Sequence, residues 1–256
     1  MPSIPELIFL TPPEHLRAVQ AAGLSAAHLA YRVGGGPHLY RTEAPVAPRG
    51  GRMAMDCREA PFAGTAEPFC REVLRECSAR GFQGVLALGA RPGGLMGGVL
   101  AALEPLLARQ GWTLYVPEAC AGPGKARVLL SSALSGRSLQ ARLEEAAERF
   151  GPERLVLRVE RVAMDFTLPS PSGEGTPLSR GELAELLERE RPSVFFSHEL
   201  CARYFTYMGG KTGAHFVLFD DADSLRKKLE LARRMGIRQA VLSYPQVSDL
   251  LGELLG

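Results

Sequence analysis

Short apolar runs alternate with amphipathic stretches along this chain, and the runs are continuously apolar rather than polar at every second position. Leu7-Ile8-Phe9-Leu10, His28–Val33, Arg52–Asp56, the run around Leu86, Trp112–Val116, Arg127–Ser131 and Gln239–Ser243 follow this pattern. A strand that is apolar on both faces is buried on both faces, which predicts a parallel sheet covered by helices. The stretches between them carry helical spacing. Phe69, Val73 and Cys77 recur every four residues between Thr65 and Gly81. Leu139, Leu143, Ala146 and Phe150 mark a face between Ser138 and Gly151, and Leu225, Leu229 and Ala232 mark another ahead of Gly236. A helix near Val99–Arg109 contains Pro105, which is placed to kink it.

Punctuation supports these elements. Thr11-Pro12-Pro13-Glu14 and Ser179-Arg180-Gly181-Glu182 read as capping boxes, and the second helix stops before Pro192. Leu155 to Phe166 reads as one long strand running into a loop, and Val194-Phe195-Phe196 as a further strand. Tyr204–Tyr207 and His215–Phe219 read as a hairpin around Gly209-Gly210-Lys211-Thr212-Gly213. About eight strand–helix units in a chain of this length predict an α/β fold closed as a (β/α)8 TIM barrel. The barrel is expected to be irregular, with the hairpin as an insertion near the C-terminus, in a single domain spanning 1–256. An open doubly wound sheet is the alternative.

Composition narrows the function classes. The 256 residues are 46% hydrophobic, enough for one large core, and carry 30 basic against 28 acidic residues for a net charge of +2. That balance gives no electrostatic footprint for nucleic acid or an acidic membrane surface. No apolar stretch is long enough to span a bilayer, and the N-terminus lacks the basic and apolar regions of a signal peptide, so a cytoplasmic protein is expected. Cys57, Cys70, Cys77, Cys120 and Cys201 are odd in number and lack paired short spacings, which reads as neither a disulfide framework nor a zinc site. The five histidines are scattered without ligand spacing. No metal and no cofactor are expected.

In a barrel, chemistry comes from the C-terminal ends of strands. Carboxylates at predicted strand ends are Asp56, Glu59, Glu118, Asp165 and Glu199 beside His198. Paired carboxylates can hydrolyse glycosides, at about 5–5.5 Å when retaining and about 6.5–9.5 Å when inverting. Asp56, Glu118 and Asp165 are the candidates for convergence at one mouth. The plainer reading is that each caps a helix or pairs with an arginine such as Arg58 or Arg91. The glycine-rich loop Gly89–Gly98 carries Arg91 but lacks the lysine and hydroxyl of a phosphate-binding loop, and Gly210-Lys211-Thr212 reads as a hairpin turn. Asp220, Asp221 and Asp223 precede a helix, where capping is a more economical account than metal binding.

One segment resembles a known family. Gly81-Phe82-Gln83-Gly84-Val85-Leu86-Ala87-Leu88-Gly89-Ala90 has the frame of the fourth barrel strand of glycoside hydrolase family 18, the chitinase-like and spore-cortex-hydrolase-like enzymes. There the segment runs Gly-Phe-Asp-Gly-Val-Asp-Ile-Asp-Phe-Glu, and the final Glu is the proton donor. On that pattern Ala90 takes the donor position, and Leu86 and Leu88 take the inner acidic positions. Tyr204-Phe205-Thr206-Tyr207 and His215–Leu225 are similar to the family's C-terminal region, and Ala240-Val241-Leu242-Ser243-Tyr244 occupies its last strand. The family commonly ends that strand with a tryptophan under the sugar, where Ser243 or Tyr244 stands here.

The resemblance implies a family-18-like barrel without the usual acid, which binds a glycan such as peptidoglycan or an N-acetylglucosamine polymer. Arg91, Glu118, Asp165 and Tyr244 are the expected ligand contacts. A glycosidase of altered mechanism using Asp56, Glu118 or Asp165 is the second expectation, and a scaffold whose barrel mouth contacts a partner protein is the third.

Overall fold

The computed structural model describes residues 4–34, 38–44, 46–58, 65–133, 138–170, 173–210 and 213–256. Eight parallel strands close into a barrel: Glu6–Thr11, Ala26–Gly34, Arg52–Asp56, Gly84–Leu88, Thr113–Pro117, Arg127–Ser131, Leu155–Val159 and Gln239–Ser243. Closure comes from the first strand, which pairs parallel with both the eighth (Ile8 opposite Val241) and the second (Leu10 opposite Ala27). The expected (β/α)8 barrel is therefore the observed fold, and its irregularity is specific. After the second strand no helix follows among the described residues: the chain turns back as His38–Arg41, antiparallel to Tyr31–Gly34. After the fifth strand there is a single 3-10 turn, Glu118–Cys120.

Strand alternation sorts the core into two shells. Ile8, Leu10, Ala27, Ala54, Leu86, Tyr115, Leu129, Val156 and Val241 point inward and fill the barrel, so its interior is a packed core rather than a channel. Their sequence neighbours point outward under the helices. On one side Val85, Ala87, Met53 and Met55 meet Phe69, Val73, Cys77, Leu103 and Leu107. On the other, Leu155, Leu157, Ala240 and Leu242 meet Leu143, Phe150, Leu225 and Leu229. The N-terminal end of the barrel is plugged by polar groups. Arg52 donates to Tyr115 Oη at 3.1 Å, to Ser25 Oγ at 2.9 Å and to Glu6 at 3.1 Å, and Gln239 Nε2 donates to Glu6 at 3.0 Å.

Three elements differ from the sequence reading. Thr11 does not cap a helix: its buried hydroxyl donates to Phe9 O at 2.8 Å, and a 3-10 turn starts at Pro13. Leu155–Phe166 is two strands, because the chain breaks at 160–162 and enters a second sheet as Ala163–Leu168. That sheet is larger than the expected hairpin. Ala163–Leu168, Thr176–Pro177, Phe195–Ser197, Ala202–Gly209 and Gly213–Phe219 form five antiparallel strands between the seventh barrel strand and the helix Ala222–Arg234. The hairpin itself lies where expected, with Phe205 opposite Val217, and its tip residues Lys211 and Thr212 fall outside the described residues. The helix Arg180–Glu190 starts at a true capping box, Ser179 with Glu182, and seats Leu183 and Leu186 on Phe205 and Val217.

The insertion is tied to the barrel by a buried ion pair. Asp220 Oδ2 accepts from Lys228 Nζ at 2.6 Å and from Val162 N–H at 2.9 Å, and Oδ1 accepts from Ser224 Oγ at 2.8 Å. Asp221 caps the helix Ala222–Arg234 through Ser224 and pairs with Arg203, which also reaches Asp223 at 3.1 Å. The three aspartates thus cap and anchor a helix. Among the described residues no group of three His, Cys, Asp or Glu could hold a metal ion.

Candidate functional site

Over the C-terminal ends of the strands lies an open cleft of about 1110 Å³. Its floor follows from alternation: Leu10, Asp56, Leu88, Arg158 and Ser243 are the last inward positions of their strands, and Leu29 joins them at the bulge of the second strand. Its wall is the start of the insertion, Glu160 to Met164 with Phe166, together with Gly173–Gly175, Leu178, Arg180 and Leu183. One end is closed by a clamp around Asp249. Arg161 Nη1 donates to both Asp249 oxygens at 2.8 and 2.9 Å and to Gln246 O at 2.9 Å. Arg180 reaches the same carboxylate at 2.9 Å and donates to Pro245 O at 2.6 Å. Burial pushes the Asp249 carboxyl upward, but the hydrogen bond and charge of Arg161 outweigh it and hold the group below its ordinary range.

A smaller side pocket of about 260 Å³ adjoins the cleft and shares Leu88, Gly89 and Arg158 with it. Pro117, Glu118, Ala119, Leu129, Ser131 and Arg142 complete its lining. Glu118 faces Arg142 at 3.5 Å. Arg158 pairs with Glu160 at 3.4 Å, and Glu160 also accepts from Ser131 Oγ at 3.0 Å.

The fourth strand turns apolar side chains toward the cleft. Leu86 is buried in the barrel interior, and Leu88 packs on that layer at the cleft floor. Simple alternation would aim position 90 the same way, but Gly89 has φ +68° and breaks it. Ala90 is 6% exposed and packs among Met96, Val99 and Val116 in the outer shell.

The sequence candidates separate in space. Asp56 is at the cleft, where Arg58 forks onto it at 2.6 to 3.2 Å. That hydrogen bonding, opposed by burial, holds the Asp56 carboxyl below its ordinary value, so it stays ionised. Glu118 lies in the side pocket rather than the main cleft. Asp165 lines neither cavity: it accepts from Tyr207 Oη at 2.8 Å and meets His215 Nδ1 at 2.9 Å. The neighbouring inward turn belongs to Met164 and Phe166, so the expected convergence of Asp56, Glu118 and Asp165 gives way to three separate surroundings. Burial and the Asp165 bond push the Tyr207 hydroxyl up to about 12. Arg91 is exposed and lines neither cavity.

Tyr244 is also off the cleft. Val241 points inward, so Ser243 does too, while Tyr244 turns outward and packs edge-on to Phe9 at 6.5 Å and against His15 at 5.5 Å. The aromatic floor expected from Tyr244 is replaced by Ser243, and Phe166 is the aromatic ring among the described cleft residues. Glu59 lies outside the described residues.

Arg158, Glu160 and Arg142 were not among the sequence candidates. The signal for the first two was available: with Val156 inward, positions 158 and 160 of the same run follow on the same face. Arg142 carries no such signal, because it is reached across a helix from a neighbouring unit.

No family model matches the sequence. Solved structures with the same fold include the spore cortex-lytic enzyme SleL of Bacillus cereus, at TM-score 0.67 and 16% identity over 98% of this chain and 74% of that one. A chitinase from Chromobacterium violaceum matches at TM-score 0.67 and 14% identity, covering 93% of each chain. A class V chitinase from Pseudomonas fluorescens matches at TM-score 0.67 and 12% identity, over 98% of this chain and all of the other (100%). The chain therefore has the chitinase-like barrel fold of glycoside hydrolase family 18.

Proposed function

We propose that this glycoside-hydrolase-like barrel binds a glycan at its mouth, an N-acetylglucosamine polymer or a peptidoglycan fragment, without cleaving it. One observation carries the reading: an open cleft persists over a fourth strand whose inward positions are Leu86 and Leu88 and whose Ala90 faces the outer shell. The cleft has the mixed character that sugar binding uses, apolar patches with a few convergent polar groups. Hydrolysis needs a carboxylic acid that gives a proton to the leaving oxygen. Asp56 is held ionised by Arg58, Glu118 faces Arg142, and Asp165 is turned away, so none of the three supplies it.

A glycosidase of altered mechanism is the second reading, favoured by Glu160, whose side chain is 30% exposed at the cleft. Two measurements on folded protein separate them. Titration with chitooligosaccharides and with muropeptide-free cortex disaccharides reads binding, and release of new reducing ends over a long incubation reads cleavage. Binding without product supports the binder. Product that disappears in Glu160→Gln or Asp56→Asn supports the enzyme, and absence of both sinks the glycan reading.

A further inference from the structure

Where the side pocket meets the cleft, one cation has unused capacity. The Arg158 guanidinium makes an ion pair with Glu160 at 3.4 Å and no hydrogen bond among the described residues, and the side chain is 41% exposed. Its partner is already engaged, since Glu160 also accepts from Ser131 Oγ. Ser131 Oγ in turn accepts from Ala133 N–H at 3.0 Å. The guanidinium fork therefore stands at the junction with donors to give, and a planar carboxylate is the group whose geometry it matches.

The rest of the pocket sets the charge and the shape. Arg142 and Arg158 face one carboxylate there, Glu118, which sits against Arg142 at 3.5 Å. Glu160 at the rim offsets the second arginine, so an entering acid is held by the free donors of the fork rather than by net charge. Leu88, Pro117, Ala119 and Leu129 supply apolar wall for a short aliphatic stem. A volume of about 260 Å³ holds a small substituent and not a further sugar chain.

We propose that the side pocket takes a carboxylate-bearing substituent of a sugar lying in the main cleft, with Arg158 as the residue that selects the acid. This rests on the glycan-binding reading and adds its ligand class: an acidic amino-sugar glycan rather than a neutral one. Neutral polymers fill the cleft and leave the fork facing water.

Calorimetric titration with three probes tests it: the disaccharide of N-acetylglucosamine and N-acetylmuramic acid, its methyl ester, and N,N′-diacetylchitobiose. The acid binds about ten-fold more tightly than the ester, as expected for one charge-assisted fork. Arg158→Gln brings the two within about two-fold of each other, and Arg158→Lys, which keeps charge without the fork, falls between them. Should Arg158→Gln fail to fold, the acid-to-ester ratio in the unaltered protein at low and high salt decides, because the preference shrinks with salt. Equal binding of acid and ester overturns the acid pocket while leaving the glycan reading intact. Binding of none of the three overturns both. Free lactate binding as tightly as the disaccharide acid reduces the site to a general anion site and overturns the proposal.

Discussion

Arg58 lays its side-chain stem across the bare Cα of Gly89, so that a Cβ at position 89 would overlap Arg58 Cγ. The same arginine forks onto Asp56, so a glycine on the fourth strand's exit holds the ion pair on the third strand's exit. Gly89→Ala has two costs, the left-handed backbone at φ +68° and the displaced arginine. Destabilisation of about 1–3 kcal/mol is expected in urea unfolding. In Gly89→Ala/Arg58→Ala the overlap is gone and the backbone part remains. Carbon-detected titration of Asp56 moves upward in both, since its low value comes first from Arg58.

Restoring a glutamate at the family's donor position does not restore hydrolysis. Ala90 lies 6% exposed in the outer shell, so Ala90→Glu puts a carboxylate among Met96, Val99 and Val116 rather than into the cleft. No new reducing ends are expected, and stability falls by about 1–3 kcal/mol or more from burying a polar group without a partner. Reducing-end release above background in Ala90→Glu would show that the turn at Gly89 swings the side chain inward.

Lys228→Met leaves Asp220 without its buried counter-charge. Both side chains are shielded, at 1% and 0% exposure. Removing one member of such a pair costs about 3–5 kcal/mol, measured by denaturant midpoint at constant m. Asp220→Asn added to it recovers part of the loss, because the lone charge disappears while the amide oxygen keeps an acceptor for Val162 N–H.

The clamp around Asp249 governs part of the acid response. A carboxyl held below its unfolded value stabilises the fold above that value, about pH 3.9 for an aspartate, and the contribution is lost as pH falls through the lower folded value. Stability of the unaltered protein is therefore expected to decline more steeply below about pH 4 than that of Asp249→Asn. Parallel slopes for the two proteins would remove Asp249 from the acid limb.

At the alkaline end Tyr207 has the opposite sign. Its hydroxyl is pushed up to about 12, so the folded state keeps its proton while the unfolded state loses it from about 10. Stability falls between those values, and Tyr207→Phe flattens that slope. The difference in phenolate absorbance between the unaltered protein and Tyr207→Phe assigns the transition to this ring.

A parallel sheet buried on both faces was legible in the apolar runs, and about eight units in one domain-sized chain favoured closing it as a barrel over an open doubly wound sheet. Helix boundaries such as Gly81 and Ser179 were legible because caps are local chemistry. The site was less so. Asp56 reaches the cleft because it ends an obvious strand, whereas the end of the last strand was left between Ser243 and Tyr244, and one position on a strand reverses the direction of the side chain. Asp165 was misplaced for a different reason: the break at 160–162 starts a second sheet, and nothing in an apolar run distinguishes one sheet from two. The Glu118–Arg142 pairing depends on neighbours in the barrel ring, which spacing along the chain does not encode.

Val162 and Asp220 grip each other twice, Val162 N–H on Asp220 Oδ2 at 2.9 Å and Asp220 N–H on Val162 O at 2.8 Å. The polypeptide thus departs from the barrel and comes home at touching residues. Everything from 163 to 219 is a cassette with its two ends already side by side. A short turn spliced between them would join the seventh strand to the helix Ala222–Arg234 without rethreading the eight-strand frame.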